Sequence, residues 1–175
     1  MNVNYDIWAG ESIQELIHTI AEFRFQLVTE CEDVNRSLSD EINFLQHYFD
    51  SESSIIVAND CGAIVGYMAT VDYSDVHHAI SEYEHYGSDL KISEGPFVHP
   101  SYRNMGIAKG LIQESLTICE IKLVSLLIID PPLNSQPDEI IQAGEKLAHL
   151  FGFNIEHLAE KKVFKKPLVI ESAYQ

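Results

Sequence analysis

A strand, a helix and a second strand follow one another in the middle of the chain, and this succession constrains the fold most. The pattern predicts a strand at Leu90 to Val98 and a helix carrying the apolar stripe Ile107 to Cys119. It then predicts a strand at Lys122 to Ile129, whose continuous apolar run is typical of burial on both faces of a sheet. Strands joined in this way pair in parallel through a right-handed crossover. The sequence therefore predicts an α/β fold.

The remaining segments predict further strands, which should pair mainly in antiparallel fashion, and three more helices. Gly95-Pro96 interrupts the central strand, and proline cannot donate to a ladder, so we expect either a bulge or the loss of a ladder partner there. The element order β-α-α-β-β-β-α-β-α-β-β predicts a mixed sheet of about seven strands flanked by about four helices, in a single domain over residues 1–175. The other predicted strands are Val3 to Trp8, Ser54 to Ala58, Ala63 to Tyr73, Phe153 to Leu158 and Lys162 to Val169.

The charge balance limits the classes of partner. The chain has 11 basic and 27 acidic residues, a net charge of −16, which repels phosphate backbones and anionic lipid. Neither nucleic acid nor a membrane is therefore expected as a partner, whereas cationic or amine-bearing molecules are favoured. No apolar run approaches the ~18 residues of a membrane span, and no secretory signal is visible. Three separated cysteines without a Cys-x-x-Cys pair predict reduced thiols and a cytoplasmic location.

The connection between the central strand and its helix carries the clearest chemical pattern, Val98-His-Pro-Ser-Tyr-Arg-Asn-Met-Gly-Ile-Ala108. A helix N-terminus presents free N–H groups and a partial positive charge, so this turn is suited to an anion. Gly106 permits close backbone approach, Ala108 keeps the first helical turn small, and Arg103 adds a forked cation. The pattern is neither a Walker loop nor a Rossmann fingerprint. An ordinary strand-to-helix turn with a solvated arginine is the alternative.

This motif closely resembles the acyl-CoA-binding motif of the GNAT superfamily of N-acetyltransferases. The resemblance extends over most of the chain, including Ile64-Val-Gly-Tyr67 and Leu150-Phe-Gly-Phe153. It implies a GNAT-like fold whose sheet is splayed at the bulge, and direct transfer of an acetyl group from acetyl-CoA to a primary amine. It further implies that the backbone at Phe97 and Val98 binds the pantetheine arm. The implied pyrophosphate-binding amides are those of Arg103, Asn104, Met105, Gly106, Ile107 and Ala108.

Two residues are candidates for the general base, because an attacking amine must lose a proton. Glu94, on the strand next to the expected acetyl position, is the first candidate, acting directly or through a water. Its alternative is a solvated carboxylate or one paired with a lysine. His99 is the second candidate, with a plain surface histidine as its alternative.

Two further positions concern the departing thiolate and the cofactor. Members of the GNAT superfamily often carry a tyrosine four residues before the glycine of the last helix, where it acts as the acid, but this chain has Ala148 there. The acid is then Tyr83, Tyr86 or water, or else the chain is a catalytically impaired acetyl-CoA-binding sensor or interaction module. Asn134 matches an asparagine often found near the cofactor, and could equally be a turn residue.

No metal is predicted, since His77, His78 and His85 lack a second cluster at ligand spacing. A polyamine, an aminoglycoside-like molecule and a lysine-bearing peptide all suit the expected amine acceptor. The length of the acyl group and a homodimeric state are left open by the sequence.

Overall fold

A seven-stranded sheet forms the centre of the computed structural model, which describes residues 2–31, 37–49, 51–72, 90–122, 124, 126–130, 138–158 and 161–168. The strands are β1 (Val3–Ala9), β2 (Ser54–Asp60), β3 (Ala63–Asp72), β4 (Leu90–Val98), β5 (Leu126–Asp130), β6 (Asn154–Leu158) and β7 (Lys161–Pro167). The α-helices of the described residues are α1 (Ile13–Cys31), α2 (Leu38–Tyr48), α3 (Ile107–Ile121) and α4 (Asp138–Leu150). The predicted order of strands and helices is confirmed.

The strands lie in the order β1-β2-β3-β4-β5-β7-β6. Among the described strands, β4 and β5 form the one parallel pair, and the other neighbours are antiparallel. The α3 helix connects the two parallel strands, as the apolar pattern predicted. The expectation of a mixed, mostly antiparallel α/β sheet is therefore confirmed.

Helices cover both faces of the sheet. Ile55 and Val57 of β2 face the core that α1 and α2 close, whereas Ile56 and Ala58 face the core beneath α3 and α4. Side chains alternate between the faces of a strand, so burial of all four places β2 between two cores. None of the described helices combines the length and apolar character that crossing a bilayer requires.

The expected bulge in β4 is present. Tyr67 of β3 lies opposite Phe97, and Ala69 lies opposite Glu94. Two residues of β4, Gly95 and Pro96, thus stand against the single residue between Tyr67 and Ala69, which is the arrangement of a β-bulge. Gly95 has φ +111°, a backbone conformation that side chains disfavour.

Two predicted strands begin too early in the sequence, and helix ends explain both. Lys122, predicted as the start of a strand, ends α3: its N–H donates to the carbonyl of Ile118 at 2.9 Å, and β5 begins only at Leu126. Phe153 likewise closes α4, since its N–H donates to the carbonyl of Ala148 at 2.9 Å. Gly152, at φ +73°, makes this Schellman-type ending possible.

Candidate active site

A short 3₁₀ turn at Pro100–Tyr102 follows β4 and sets the direction of the chain. The N–H of Arg103 donates to the carbonyl of Pro100 at 3.2 Å within this turn. Its Nε donates to the carbonyl of Val98 at 3.4 Å. The prediction that the main-chain N–H of Arg103 faces a phosphate is therefore corrected, because the turn itself uses that group.

The five residues that follow form an open run of donors. Asn104 and Gly106 both adopt the left-handed conformation, with φ values of 62° and 82°. Gly106 is the N-cap of α3, and the N–H of Gly110 makes the first hydrogen bond back to its carbonyl, at 3.0 Å. Within the described residues, the N–H groups from Asn104 to Ala108 have no acceptor. A helix N-terminus with free N–H groups is an anion site, so the geometry fits a phosphate here.

The end of β4 extends beyond its parallel neighbour. The last pair between β4 and β5 is Glu94 with Asp130, at the end of β5. Phe97 and Val98 remain paired with β3 on one side, but have no strand partner on the other among the residues that the structure describes. A sheet edge of this kind can pair with an extended ligand. It fits an amide-bearing arm laid along β4.

Gly66 in β3 brings the sheet and α3 together beside this edge. A Cβ atom at this position would lie 2.8 Å from the carbonyl oxygen of Phe97 and 3.2 Å from Cγ2 of Ile107. A larger residue would therefore push apart the strand and the helix that carry the free donors. The distance between the turn and the sheet thus depends on this glycine in the segment Ile64 to Tyr67.

Glu94 lies on the face of β4 that is covered by α1. Its Oε1 accepts a hydrogen bond from Nη1 of Arg24 at 2.7 Å. Its Oε2 is buried and has no hydrogen-bond partner among the described residues. The side chain as a whole is 20% exposed. The partner of Glu94 is therefore an arginine and not the lysine that was considered. One carboxylate oxygen has no donor among the described residues.

A buried charge cluster surrounds this contact. Arg24, 12% exposed, forms a second ion pair from Nε to Glu41, which is only 4% exposed. Its Nη1 also donates to the hydroxyl of Tyr67 at 3.1 Å. Burial alone would lower the pKa of Arg24, but the Tyr67 oxygen and the Glu94 carboxylate outweigh it and raise that pKa. Burial raises the pKa of Tyr67, so its hydroxyl stays protonated beside the guanidinium.

Sequence reasoning missed Arg24, Glu41 and Tyr67, although the sequence contains a sign of the first two. Arg24 lies four residues after Ile20 and so falls on the buried stripe of α1. Glu41 precedes buried Leu45 by the same interval in α2. Charged residues on the apolar face of a helix are rare unless they are paired, and the two together could have predicted an ion pair.

His99 has a structural contact that bears on its candidacy as a base. Its Nδ1 accepts the N–H of Ser101 at 3.2 Å and so caps the 3₁₀ turn. Its ring stands edge-on to Tyr102, with 5.9 Å between centroids. A nitrogen that accepts a hydrogen bond carries no proton, so a neutral ring holds its proton on Nε2. While this bond persists, neither nitrogen of the neutral ring is free to take a proton.

Ala148 is fully buried in the core beneath α4, so this position supplies no proton donor. Asn134, Tyr83 and Tyr86 lie outside the described residues, as do the three histidines considered for a metal. The residues that the structure describes contain no group of three potential metal ligands.

Comparisons with known proteins identify the family of this chain. The model of the acetyltransferase (GNAT) family matches residues 21–130, more than half of the chain. No curated protein sequence is similar enough to match.

Solved structures share the fold at low sequence identity. A phosphinothricin acetyltransferase from Sinorhizobium meliloti, in complex with AcCoA, is 17% identical, with a TM-score of 0.66 over 100% of this chain and 93% of that one. The protein yncA from Salmonella typhimurium, with its cofactor acetyl-CoA, is 13% identical, with a TM-score of 0.61 over 98% and 97%. A ribosomal-protein-alanine N-acetyltransferase from Brucella melitensis is also 13% identical, with a TM-score of 0.64 over 96% and 100%.

Proposed function

Because this chain belongs to the acetyltransferase (GNAT) family, we propose that it transfers an acetyl group from acetyl-CoA directly to a primary amine. The observation that carries the proposal is the run of N–H groups from Asn104 to Ala108, which lacks acceptors among the described residues. The presence of acetyl-CoA in two of the structures that share the fold also supports it.

The geometry of the turn and of β4 supports a specific set of residues for the cofactor. The amides of Asn104, Met105, Gly106, Ile107 and Ala108 would hold the pyrophosphate, at the positive end of α3. The guanidinium of Arg103 would add a cation beside them. The main chain of Phe97 and Val98 would bind the pantetheine arm in the manner of a neighbouring strand. Asn134 stays a prediction for the same site.

Acetyl-CoA supplies an activated thioester: the amine nitrogen bonds to the acetyl carbon, the carbon–sulfur bond breaks, and CoA leaves with the electron pair on sulfur. The amine must first lose a proton, and we propose that Glu94 accepts it. Its Oε2 is the oxygen that Arg24 does not engage, and it can accept that proton directly or through a water. Ala148 offers no acid, so water, Tyr83 or Tyr86 would protonate the thiolate.

The substitution Gly106→Glu tests the cofactor site. A carboxylate at the N-cap of α3 would repel the pyrophosphate, and we expect the Kd for acetyl-CoA to rise by at least about 100-fold. Isothermal titration calorimetry of the purified protein with acetyl-CoA measures this directly.

Gly62→Glu is the matched control for Gly106→Glu. Gly62 also has a positive φ, +91°, and a Cβ there likewise meets nothing within 4 Å, but it lies in the β2–β3 turn. The control therefore imposes the same backbone strain and charge away from the site, and should bind acetyl-CoA as the wild type does. An equal loss of acetyl-CoA affinity in both variants would contradict the proposal. So would the absence of acetyl-CoA binding by the folded wild type.

We further propose that the acceptor is a cationic amine, such as a polyamine, an aminoglycoside-like molecule or a lysine-bearing peptide. The chain has a net charge of −16, and Glu41 and Glu94 share Arg24 as their common ion-pair partner. Both features favour a positively charged acceptor over an anionic one.

The dependence on salt tests the charge of the acceptor. With acetyl-CoA saturating, raising NaCl from about 0.05 to 0.5 M should lower kcat/KM for spermidine on the order of tenfold, since screening weakens long-range attraction. Butylamine, which carries a single charge, should lose less. Equal profiles for the two amines would show that acidic residues do not guide the acceptor.

A second candidate function is a CoA-binding module without turnover. The buried methyl group of Ala148, where members of the family often carry an acidic tyrosine, favours it. Such a module would bind acetyl-CoA with no release of CoA in the presence of amines, and Glu94→Gln would leave its behaviour unchanged. Measurable CoA release that depends on an amine would exclude it.

A further inference from the structure

Arg24 contacts both parts of the proposed site. Its Nη1 binds Oε1 of Glu94, and its guanidinium lies over the ring of Phe97, 5.3 Å from the centroid. Phe97 in turn stacks on Tyr67, with 4.8 Å between centroids and 11° between ring planes. One side chain of α1 therefore touches the proposed base and the β4 residue assigned to the pantetheine arm.

Glu41 restrains Arg24 through a second ion pair. Its carboxylate lies against Nε of the guanidinium, and Phe44 of the same helix covers the group at 5.6 Å from the ring centroid. The first turn of α2 is itself held by a capping box, in which Ser37 Oγ accepts the N–H of Asp40 at 3.1 Å. A guanidinium is a rigid planar fork, so holding Nε also determines where Nη1 points.

This arrangement decides how Glu94 is held. An arginine and a carboxylate that meet without other restraint commonly form a bidentate pair, with both carboxylate oxygens occupied. Here Nη1 donates to Oε1 of Glu94, and the ion pair of Nε with Glu41 fixes the orientation of the guanidinium plane. Oε2 is left without a donor among the described residues, although it is buried. The network therefore keeps one oxygen of Glu94 able to accept a proton.

We propose that Arg24 and Glu41 are positioning residues for acetyl transfer, with Glu41 preventing Arg24 from closing on both oxygens of Glu94. The inference rests on the proposed function and adds two residues to it. Neither residue touches the reacting atoms, and we expect the effect of each on kcat to pass through Glu94. This dependence separates positioning from a general contribution to stability.

The test is Glu41→Gln, made in the wild type and in a Glu94→Gln background. In the wild type we expect kcat to fall about tenfold or more, as Arg24 turns to occupy both oxygens of Glu94, with the Kd for acetyl-CoA unchanged. In the Glu94→Gln background the same substitution should have no further effect on kcat. The assay is CoA release from acetyl-CoA with spermidine and with a lysine-containing peptide as acceptors.

Arg24→Lys provides a second variant should Glu41→Gln fold poorly. Lysine keeps the charge but has one nitrogen in place of the fork, so it cannot hold both carboxylates in the same geometry. We expect a loss of kcat of the same order, again absent in the Glu94→Gln background. Glu156→Gln, which removes an ion pair with Lys165 between β6 and β7, is the control and should keep wild-type kcat.

The outcomes separate the inference from the function on which it rests. An active wild type whose kcat is unaffected by Glu41→Gln, or reduced equally in both backgrounds, overturns the positioning roles and leaves the transferase intact. A folded wild type that releases no CoA with either acceptor overturns the proposed function and this inference together.

Discussion

Glu94→Gln is expected to lower kcat by roughly 100- to 1,000-fold while the Kd for acetyl-CoA stays within about twofold of the wild type. Glutamine has nearly the shape of glutamate and can still accept the hydrogen bond from Arg24, but its amide takes up no proton at neutral pH. The loss should therefore appear in turnover rather than in binding. CoA release under saturating substrates, with parallel calorimetric titration, measures both quantities.

The control is again Glu156→Gln, which makes the same chemical change in an ion pair between β6 and β7. It should retain wild-type kcat. A Glu94→Gln variant with nearly full activity would exclude Glu94 as the base. The role would then pass to another group, and His99 could fill it only if its hydrogen bond from the N–H of Ser101 breaks.

Arg24→Met should lower the free energy of unfolding by about 3–5 kcal/mol near pH 7.5. The substitution removes the cation between Glu41 and Glu94, which are 4% and 20% exposed, and leaves two carboxylates close together in a poorly solvated place. Urea denaturation followed by circular dichroism gives the free energy. A loss below about 1 kcal/mol would mean that water solvates these carboxylates well.

The pH dependence and a compensating variant identify the cause of this loss. In Arg24→Met, burial and mutual repulsion favour the protonated carboxyls in the folded state, so the folded protein binds more protons than the unfolded chain. Its stability should therefore rise relative to the wild type as the pH falls from about 7.5 toward 5.

Adding Glu41→Gln and Glu94→Gln to Arg24→Met should restore most of the lost free energy of unfolding. No recovery would indicate lost packing of the arginine stem instead.

The turn proposed for the cofactor could be predicted from the sequence because its parts are contiguous. Glycine at residue 106, a small residue at 108 and an apolar helical stripe after them all report on local backbone geometry. The interruption at Gly95-Pro96 likewise predicted the bulge, because proline removes a ladder donor. Such features need no knowledge of which distant segments meet.

The charge cluster could not be predicted in the same way. Arg24 and Glu94 are 70 residues apart in sequence, and Arg24 and Tyr67 are 43 apart. Their meeting depends on how α1 lies across β3 and β4, which the pattern of either segment alone does not determine. The use of the Arg103 N–H inside the 3₁₀ turn was missed for a related reason, because Pro100 signals a turn without giving its hydrogen bonds.

The extra residue in β4 changes which face of the sheet the following side chains occupy. Glu94 and Phe97 are separated by an odd number of positions, so a regular strand would turn them to opposite sides of the sheet. The bulge brings both side chains to the same side of the sheet, where they contact the same guanidinium. A regular strand that kept both Gly95 and Pro96 would send Phe97 to the side of α3, away from Arg24, so the pairing of Glu94 and Phe97 on one guanidinium depends on the bulge.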